Sequence, residues 1–245
     1  MPIHLFGQIA EAEAIQAIAA RNGLIVLEDA AQAIGATRNG KAAGSFGLSA
    51  GFSFYVTKNL GAAGDAGLIV TNDDEIAEKC RAMRVHGMGR ERYYYDYLGY
   101  TSRMDEIQAA VLRVKVERLS AWNAHRARIA SAYTAALAQT ELSLPVVTPG
   151  NVHAWHQYTI RTSRRDALQA HLTTVGVDSA IFYPVPIHFH EPYRRFGGGE
   201  GSLPVTEACS REVLSLPIHQ HLPLEHAAYV AEQIVAFAGA AVASR

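Results

Sequence analysis

A continuous apolar run, Leu24–Leu27, ends in the acids Glu28 and Asp29 and restricts the possible fold more than any other segment. Uninterrupted apolar strands are typical of sheets covered on both faces. Residues 10–20 have apolar residues at helical spacing and are followed by the helix-ending pair Asn22-Gly23. The pattern predicts an α/β sheet with Asp29 just beyond a strand's C-terminal end, where open α/β sheets place ligands.

Lys58 follows the aromatic segment Phe52–Tyr55, and an apolar neighbourhood lowers the pKa of an amine. A cofactor that forms a Schiff base needs such an amine, together with a carboxylate that keeps a pyridine nitrogen protonated. Lys58 and Asp29 supply these groups, and the hydroxyl of Ser53 suits an ester phosphate. A lone lysine is more often a solvated surface charge, but this context indicates a covalent pyridoxal phosphate site.

Composition indicates an ordinary globular protein with no nucleic-acid or membrane partner. The 245 residues are 49% apolar and carry a formal net charge of −1, and the densest basic-aromatic stretch, residues 90–97, is interrupted by acids. Neither a secretory signal nor an apolar stretch of bilayer length is evident, which predicts a cytoplasmic location. Cys80 and Cys209 lack metal-type spacing and are predicted to be buried, reduced thiols.

Local patterns predict the remaining elements. Ser102 and Asp105 resemble a capping box before a long helix that leads into a second domain. The other predicted elements are a strand at 68–70, a helix from Asp73 or Asp74 through Ala82, a strand at 158–161, a helix at 166–174, a strand at 177–183 and a closing helix at 224–242.

Five motifs, in this order along the chain, resemble the DegT/StrS-type nucleotide-sugar aminotransferases. They are Pro2–Gln8, Glu28–Ala33, Phe52–Tyr55 with Lys58–Gly61, Arg103–Ala110 and Tyr183–Pro186. The resemblance implies an α/β fold of the aspartate aminotransferase type (fold type I, pyridoxal phosphate-dependent transferases). An incomplete large mixed-sheet domain is expected at residues 1–122, and a small α+β domain at 123–245.

The same resemblance implies a role for each matching residue. Lys58 would bond covalently to pyridoxal 5'-phosphate, Asp29 would contact the pyridine nitrogen, Gln32 the ring hydroxyl side and Ser53 the phosphate. Tyr183 and His188 would contact the substrate.

The substrate implied by the family is a nucleotide-linked keto sugar, aminated at C3, with L-glutamate as the expected amino donor. A homodimer is also expected, with residues near Tyr93 to Arg103 facing the partner's site.

Three departures from the family pattern stand out. The resemblance starts in the middle of the family's large domain, so the phosphate-gripping glycine turn and the stacking aromatic ring are expected to be absent. Thr101 replaces an asparagine that reaches the partner's phosphate, and Phe182 replaces a histidine that faces the active site in many members. The first departure leaves open an inactive fragment or a dimerisation remnant.

Histidine pairs favour another class, a metal-dependent hydrolase. Histidines two or three residues apart can ligate zinc from one face of a strand or turn. The pairs are His153 with His156, His188 with His190, and His219 with His221. No acid or cysteine at ligand spacing accompanies them, so this interpretation is the weaker one. A family dehydratase would carry histidine in place of Lys58.

Overall fold

The computed structural model describes residues 1–242, and they form two compact units. The first unit comprises Met1–Ala124 and Val147–His156; the second comprises His125–Val146 and the residues from Gln157 onward. Segment 147–156 therefore returns to the first unit. The expected domain boundary after residue 122 stays a prediction, and residues 243–245 of the expected second domain lie outside the described residues.

The first unit is built around a short mixed sheet. Its elements in chain order are α1 (Ala12–Arg21), β1 (Leu27–Asp29), β2 (Thr37–Arg38), β3 (Lys41–Ala42), β4 (Ser49–Ser53), β5 (Gly67–Thr71), α2 (Asp74–Met83), α3 (Glu106–Val116), the start of α4 (Leu119–Leu137) and β6 (Asn151–Val152). Strand β1 pairs parallel with β4, and β4 pairs antiparallel with β5. Strands β3, β2 and β6 form a second small sheet.

The register of the mixed sheet decides which side chains share a face. Asp29 lies opposite Gly51, and Gly51 lies opposite Ile69. Because successive side chains of a strand alternate between faces, Ser53 points to the same face as Asp29. Glu28, one residue earlier, points to the other face.

The apolar run before Asp29 is shorter as a strand than predicted and is not covered. Leu24 and Ile25 are 63% and 69% exposed, and β1 begins only at Leu27. The amide of Leu24 still donates to the carbonyl of Ala19 at 2.9 Å, so these residues complete the end of α1. The prediction of a strand covered on both faces is therefore wrong, and Asp29 is the last residue of the strand.

The helices of the first unit follow their sequence signals, with two exceptions at α3. Asp73 caps α2 by accepting a hydrogen bond from the amide of Ile76 at 2.9 Å, as the predicted start requires. The predicted capping box before α3 is wrong: Asp105 is itself the N-cap, and among the described residues its side chain makes no capping bond. The predicted long helix is divided into α3 and α4 at residues 117–118.

The second unit packs helices against a two-stranded sheet. It contains the end of α4, β7 (Tyr158–Arg161), α5 (Arg165–Thr174), α6 (Pro204–Glu212), β8 (Val213–Leu216) and α7 (Leu224–Val242). Strand β7 pairs antiparallel with β8. The large, fully buried side chains of this core are Ile129, Tyr133, Leu137, Tyr158, Ile160, Leu168, Leu172, Leu214, Leu216 and Ile234.

The predicted strand at 177–183 is wrong. Only Ala180 pairs, through two backbone hydrogen bonds with Ser215. The chain then leaves the sheet towards Pro184 and Pro186, which cannot donate to a ladder. The predicted elements at 158–161, 166–174 and 224–242 are confirmed as β7, α5 and α7.

Cys80 and Cys209 are free thiols, half-buried rather than buried. Across residues 1–242, no helix combines the length and the apolar content needed to cross a bilayer.

Candidate active site

Asp29, at the carboxyl end of β1, is fixed by the N-terminal segment of the chain. Its backbone N–H donates to the carbonyl of Pro2 at 2.9 Å, and its carbonyl accepts from the N–H of His4 at 3.0 Å. Its Oδ1 accepts the amide of Ala31 at 3.0 Å, an Asx-type turn. A carboxylate can accept further bonds through its other oxygen, so Asp29 can still receive a ring N–H.

Behind Asp29, the neighbouring Glu28 is held by a buried network. His4 Nε2 lies 2.8 Å from Glu28 Oε2, and the amide of Ala10 donates to Nδ1 of the same ring at 3.3 Å, so Nε2 carries the proton. Three backbone amides complete the network by donating to the carboxylate at 2.6–2.9 Å, those of Gly44, Phe46 and Gly47. Burial acts to raise the pKa of Glu28, but the bonds from His4 and the amides outweigh it, and the pKa is lowered.

Lys58 lies in the turn that follows β4 and is half-buried. Burial disfavours its ammonium form and lowers the pKa of its amine, while the charge of Asp29 acts in the opposite direction. The two residues are therefore within electrostatic reach of each other. A half-buried amine with a lowered pKa, next to a carboxylate, matches the chemistry expected from the sequence.

The sheet between Asp29 and Ser53 presents a flat, bare surface. The two side chains share one face, and strand geometry separates their Cα atoms by about 8 Å. Gly51 lies between them, and a Cβ built on it would meet none of the described atoms within 4 Å. The hydroxyl of Ser53 accepts the amide of Tyr55 at 3.2 Å and keeps its own O–H to donate. These residues fit a flat pyridine ring with a phosphate arm.

Gln32 lies in the turn after β1, where its Oε1 accepts the backbone amide of Phe6 at 2.6 Å. Phe6 itself has a positive φ of 59°. The side chain thus joins the turn after Asp29 to the segment that precedes α1.

The sequence analysis missed several residues that hold the loop after Lys58, two of them on α3. Gln108 Oε1 accepts the amide of Ala63 at 2.8 Å, and the amine of Lys115 donates to the carbonyl of Gly61. Asn59 is buried and also fully bonded. The one available signal was position, because Asn59 and Gln108 stand inside the recognised motifs without an assigned role.

Tyr183 and His188 belong to the second unit. Tyr183 is half exposed, and its ring centroid lies 5.5 Å from that of Phe182. His188 is buried, with Nε2 3.1 Å from Oε1 of Glu207. Burial acts to raise the pKa of Glu207, but the amides of Gly201 and Leu203 and the His188 ring outweigh it, and the pKa is lowered.

Thr101 and His153, which the sequence also singled out, have local partners. The hydroxyl of Thr101 is 3.2 Å from Nδ1 of His86. His153 stacks on Trp155 with centroids 4.0 Å apart, and burial lowers its pKa to about 4. Within residues 1–242, no group of three or more His, Cys, Asp or Glu side chains could hold a metal ion, which leaves the hydrolase alternative without support.

Comparison with known proteins gives consistent matches along the chain. The model of the DegT/DnrJ/EryC1/StrS aminotransferase family matches residues 1–235. A Geobacillus stearothermophilus protein named "Pleiotropic regulatory protein" is 50% identical over 97% of this chain and 64% of its own length. The Streptomyces venezuelae dTDP-3-amino-3,4,6-trideoxy-alpha-D-glucose transaminase is 43% identical over 96% of the chain and 62% of its own length.

A solved structure extends the match to the fold. The crystal structure of S. venezuelae DesV, described as a complex with a ketimine intermediate, has a TM-score of 0.94 and 44% identity, covering 97% of this chain and 64% of that one. The chain thus spans less than two thirds of the length of these proteins.

Proposed function

The chain belongs to the DegT/DnrJ/EryC1/StrS aminotransferase family, and on that basis we propose that it carries the lysine-bearing part of a pyridoxal phosphate-dependent sugar aminotransferase. The homologues in this family depend on that cofactor. The observation that carries the proposal is the half-buried amine of Lys58 within electrostatic reach of Asp29 at the carboxyl edge of the mixed sheet.

Four residues would hold the cofactor. Asp29 would accept the ring N–H through its free carboxylate oxygen, and the hydroxyl of Ser53 would donate to the phosphate. Gln32 would lie on the ring hydroxyl side, and Lys58 would bond to the aldehyde carbon.

The cofactor, when bound, withdraws electrons from the substrate carbon that carries the amino group. Lys58 would then act as general base and acid, since its lowered pKa favours a free amine that takes a proton from this carbon and delivers it to the cofactor carbon on the other side of the amino nitrogen. The carboxylate of Asp29 would keep the ring nitrogen protonated throughout. Both roles require the amine of Lys58 and the carboxylate of Asp29 to lie close together at the edge of the sheet.

The proposed substrate is a nucleotide-linked keto sugar, aminated at C3, with L-glutamate as the amino donor. The name of the 43% identical S. venezuelae relative describes a 3-amino sugar transaminase and supports this choice. Tyr183 and His188 are the proposed substrate contacts in the second unit, and the active assembly is proposed to be a homodimer.

The alternative is a protein that keeps the fold but does not hold the cofactor. Its basis is that the chain spans 64% or less of the length of the relatives described above. The two proposals differ in whether the cofactor forms a stable bond with Lys58.

Borohydride trapping separates them. The 245-residue chain is mixed with pyridoxal phosphate, its visible spectrum is recorded, and the reduced protein is digested and mapped. We expect one modified peptide, carrying Lys58, and no adduct at that position in Lys58→Ala. Lys41→Ala, which removes an exposed lysine, serves as the matched control and should trap the cofactor as the wild type does.

Pre-incubation with L-glutamate adds the test of transamination. Loss of the trapped adduct after glutamate supports the aminotransferase, whereas an adduct that glutamate does not discharge supports binding alone. Equal modification of several lysines, or of none, would reject the proposed role of Lys58.

A further inference from the structure

Asn59, the residue after Lys58, uses its whole amide group inside the first unit. The side chain is only 2% exposed. Its Nδ2 donates to Oδ1 of Asn123 at 2.8 Å and to the carbonyl of Ala154 at 2.7 Å. Its Oδ1 lies 3.2 Å from Nδ1 of His156, which donates to it. A buried amide with every donor and acceptor engaged is held rigidly and is costly to remove.

The turn that carries Lys58 lies between the buried Phe54 and Leu60, but the residues that precede Lys58 in it are exposed. Tyr55 and Val56 are about half exposed, and Thr57 is exposed as well. Among the described residues, the amide of Lys58 donates within its own turn, to the carbonyl of Tyr55 at 2.8 Å. Exposed turns with local bonds alone open easily. Asn59, directly after Lys58, therefore links this turn to the rest of the unit through three side-chain hydrogen bonds.

The partners of Asn59 are themselves fixed to the segments around the candidate site. Asn123 donates to the carbonyl of Ile34 at 3.1 Å, beyond the turn that carries Gln32. The amide of Ala154 donates to the carbonyl of Gly7 at 2.9 Å, next to Phe6, whose amide bonds to Gln32. Asn59 thus connects the turn of Lys58 to the segment that follows Gln32 and to the segment whose Phe6 amide bonds to Gln32.

We propose that Asn59 is a positioning residue, which holds the backbone of Lys58 so that its amine stays half-buried beside Asp29. The inference deepens the proposed function, because it concerns the lysine that would bond the cofactor. Without the three hydrogen bonds of Asn59, the exposed turn can swing the amine into water, where it regains an ordinary ammonium group.

Competitive acetylation tests this without any cofactor. The chain is labelled with limiting acetic anhydride between pH 6 and 11, and the labelled peptides are quantified by mass spectrometry. In the wild type, Lys58 should reach half-maximal labelling at lower pH than it does in the urea-unfolded chain. In Asn59→Ala, the Lys58 midpoint should move up towards that of the unfolded chain.

Two further variants separate positioning from loss of stability. Asn151→Ala removes an asparagine from residues 147–156, the segment that also contains Ala154 and His156. The described hydrogen bonds of the Asn151 side chain go to the carbonyl of Ile9 and to Thr148, away from the Lys58 turn. This variant should leave the Lys58 midpoint in place even if the melting temperature falls. Asn123→Ala removes one partner of Asn59 and should give a smaller upward shift; it decides the question if Asn59→Ala does not fold.

The outcomes distinguish this inference from the proposed function. An unchanged Lys58 midpoint in a folded Asn59→Ala, or an equal shift in Asn151→Ala, overturns the positioning role. If the midpoint shifts as expected but borohydride never traps the cofactor on Lys58, Asn59 positions the amine and the cofactor proposal fails alone. If trapping succeeds in the wild type and also slows in Asn59→Ala, both stand.

Discussion

At the scale of single residues, two opposing influences act on the amine of Lys58. Burial makes the ammonium form costly, and the negative charge of Asp29 partly compensates for that cost. The net effect lowers the pKa of Lys58 below its ordinary value of 10.5. Asp29 therefore has two roles in the proposed function: it accepts the N–H of the ring nitrogen, and its charge raises the pKa of Lys58.

The variant Asp29→Asn should separate these two roles. Removing the carboxylate charge leaves burial unopposed, so the pKa of Lys58 should fall further and its acetylation midpoint should move to lower pH. The cofactor should still be trapped on Lys58, but discharge by glutamate should slow by about tenfold or more, because an amide does not keep the ring nitrogen protonated. An acetylation midpoint that rises, or an unchanged rate of discharge, would contradict the assignment of Asp29.

At the scale of elements, the short strand β1 depends on the network around Glu28. The carboxylate joins β1 to His4 and to the backbone of residues 44–47. Because these donors are buried or partly buried, removing the acceptor would leave them unpaired, which costs more than a hydrogen bond contributes. The strand that ends in Asp29 is thus held from its opposite face.

Glu28→Gln should lower the free energy of unfolding by about 1–3 kcal/mol at pH 7. The pKa of Glu28 is lower in the folded state than its ordinary value of 4.5, so its contribution is present above that value and is lost as the pH falls through the lowered folded pKa. The difference between the wild type and the variant in urea unfolding should therefore narrow as the pH is lowered below 4.5. Glu11→Gln, at an exposed position, should differ little from the wild type at either pH.

Sequence patterns predict those elements whose signals are local. Helix α2 begins at a capping aspartate, and β7 is a short strand rich in aromatic and β-branched residues; both are where the sequence places them. The run before Asp29 was misjudged because an apolar sequence does not say whether anything covers it. The bonds of Asn59 join residues 64 and 95 positions apart, a distance over which no periodic pattern operates.

The residues of the candidate site could be predicted from the sequence only in part. Lys58, Asp29 and Ser53 were proposed from chemical type and position, and the register of β1 with β4 places Asp29 and Ser53 on one face. The network of Glu28 with His4 was not found, because one acid beside another in a strand reads equally well as a second solvated charge. Glu28 and Asp29 have different environments because successive side chains of β1 point to opposite faces of the sheet.

At the scale of the whole molecule, the first unit exposes a cluster of large apolar side chains at residues 93–98. Leu98 is 97% exposed and Tyr93 is 69% exposed, and Tyr94, Tyr95 and Tyr97 are exposed as well. Exposed aromatic clusters of this kind mark interaction surfaces. The expected homodimer would use this segment.

Sedimentation velocity tests the association. We expect the wild type to sediment as a dimer at micromolar concentration, and the triple variant Tyr93→Ser, Tyr95→Ser, Leu98→Ser to shift towards the monomer, because the replaced side chains are exposed on the first unit. Val205→Ser, at another exposed apolar position, is the control and should remain a dimer. A wild-type monomer that discharges the cofactor at full rate would contradict the dimer proposal.

The bare surface at Gly51 separates two kinds of evolutionary constraint. A methyl group there would meet none of the described atoms, and the backbone of Gly51 has no positive φ that would demand glycine. Folding alone therefore tolerates a larger residue, whereas a flat ligand lying on the sheet would not. Retention of glycine at this position in descendants of the chain would record selection for a ligand, and its drift to larger residues would date the loss of that ligand.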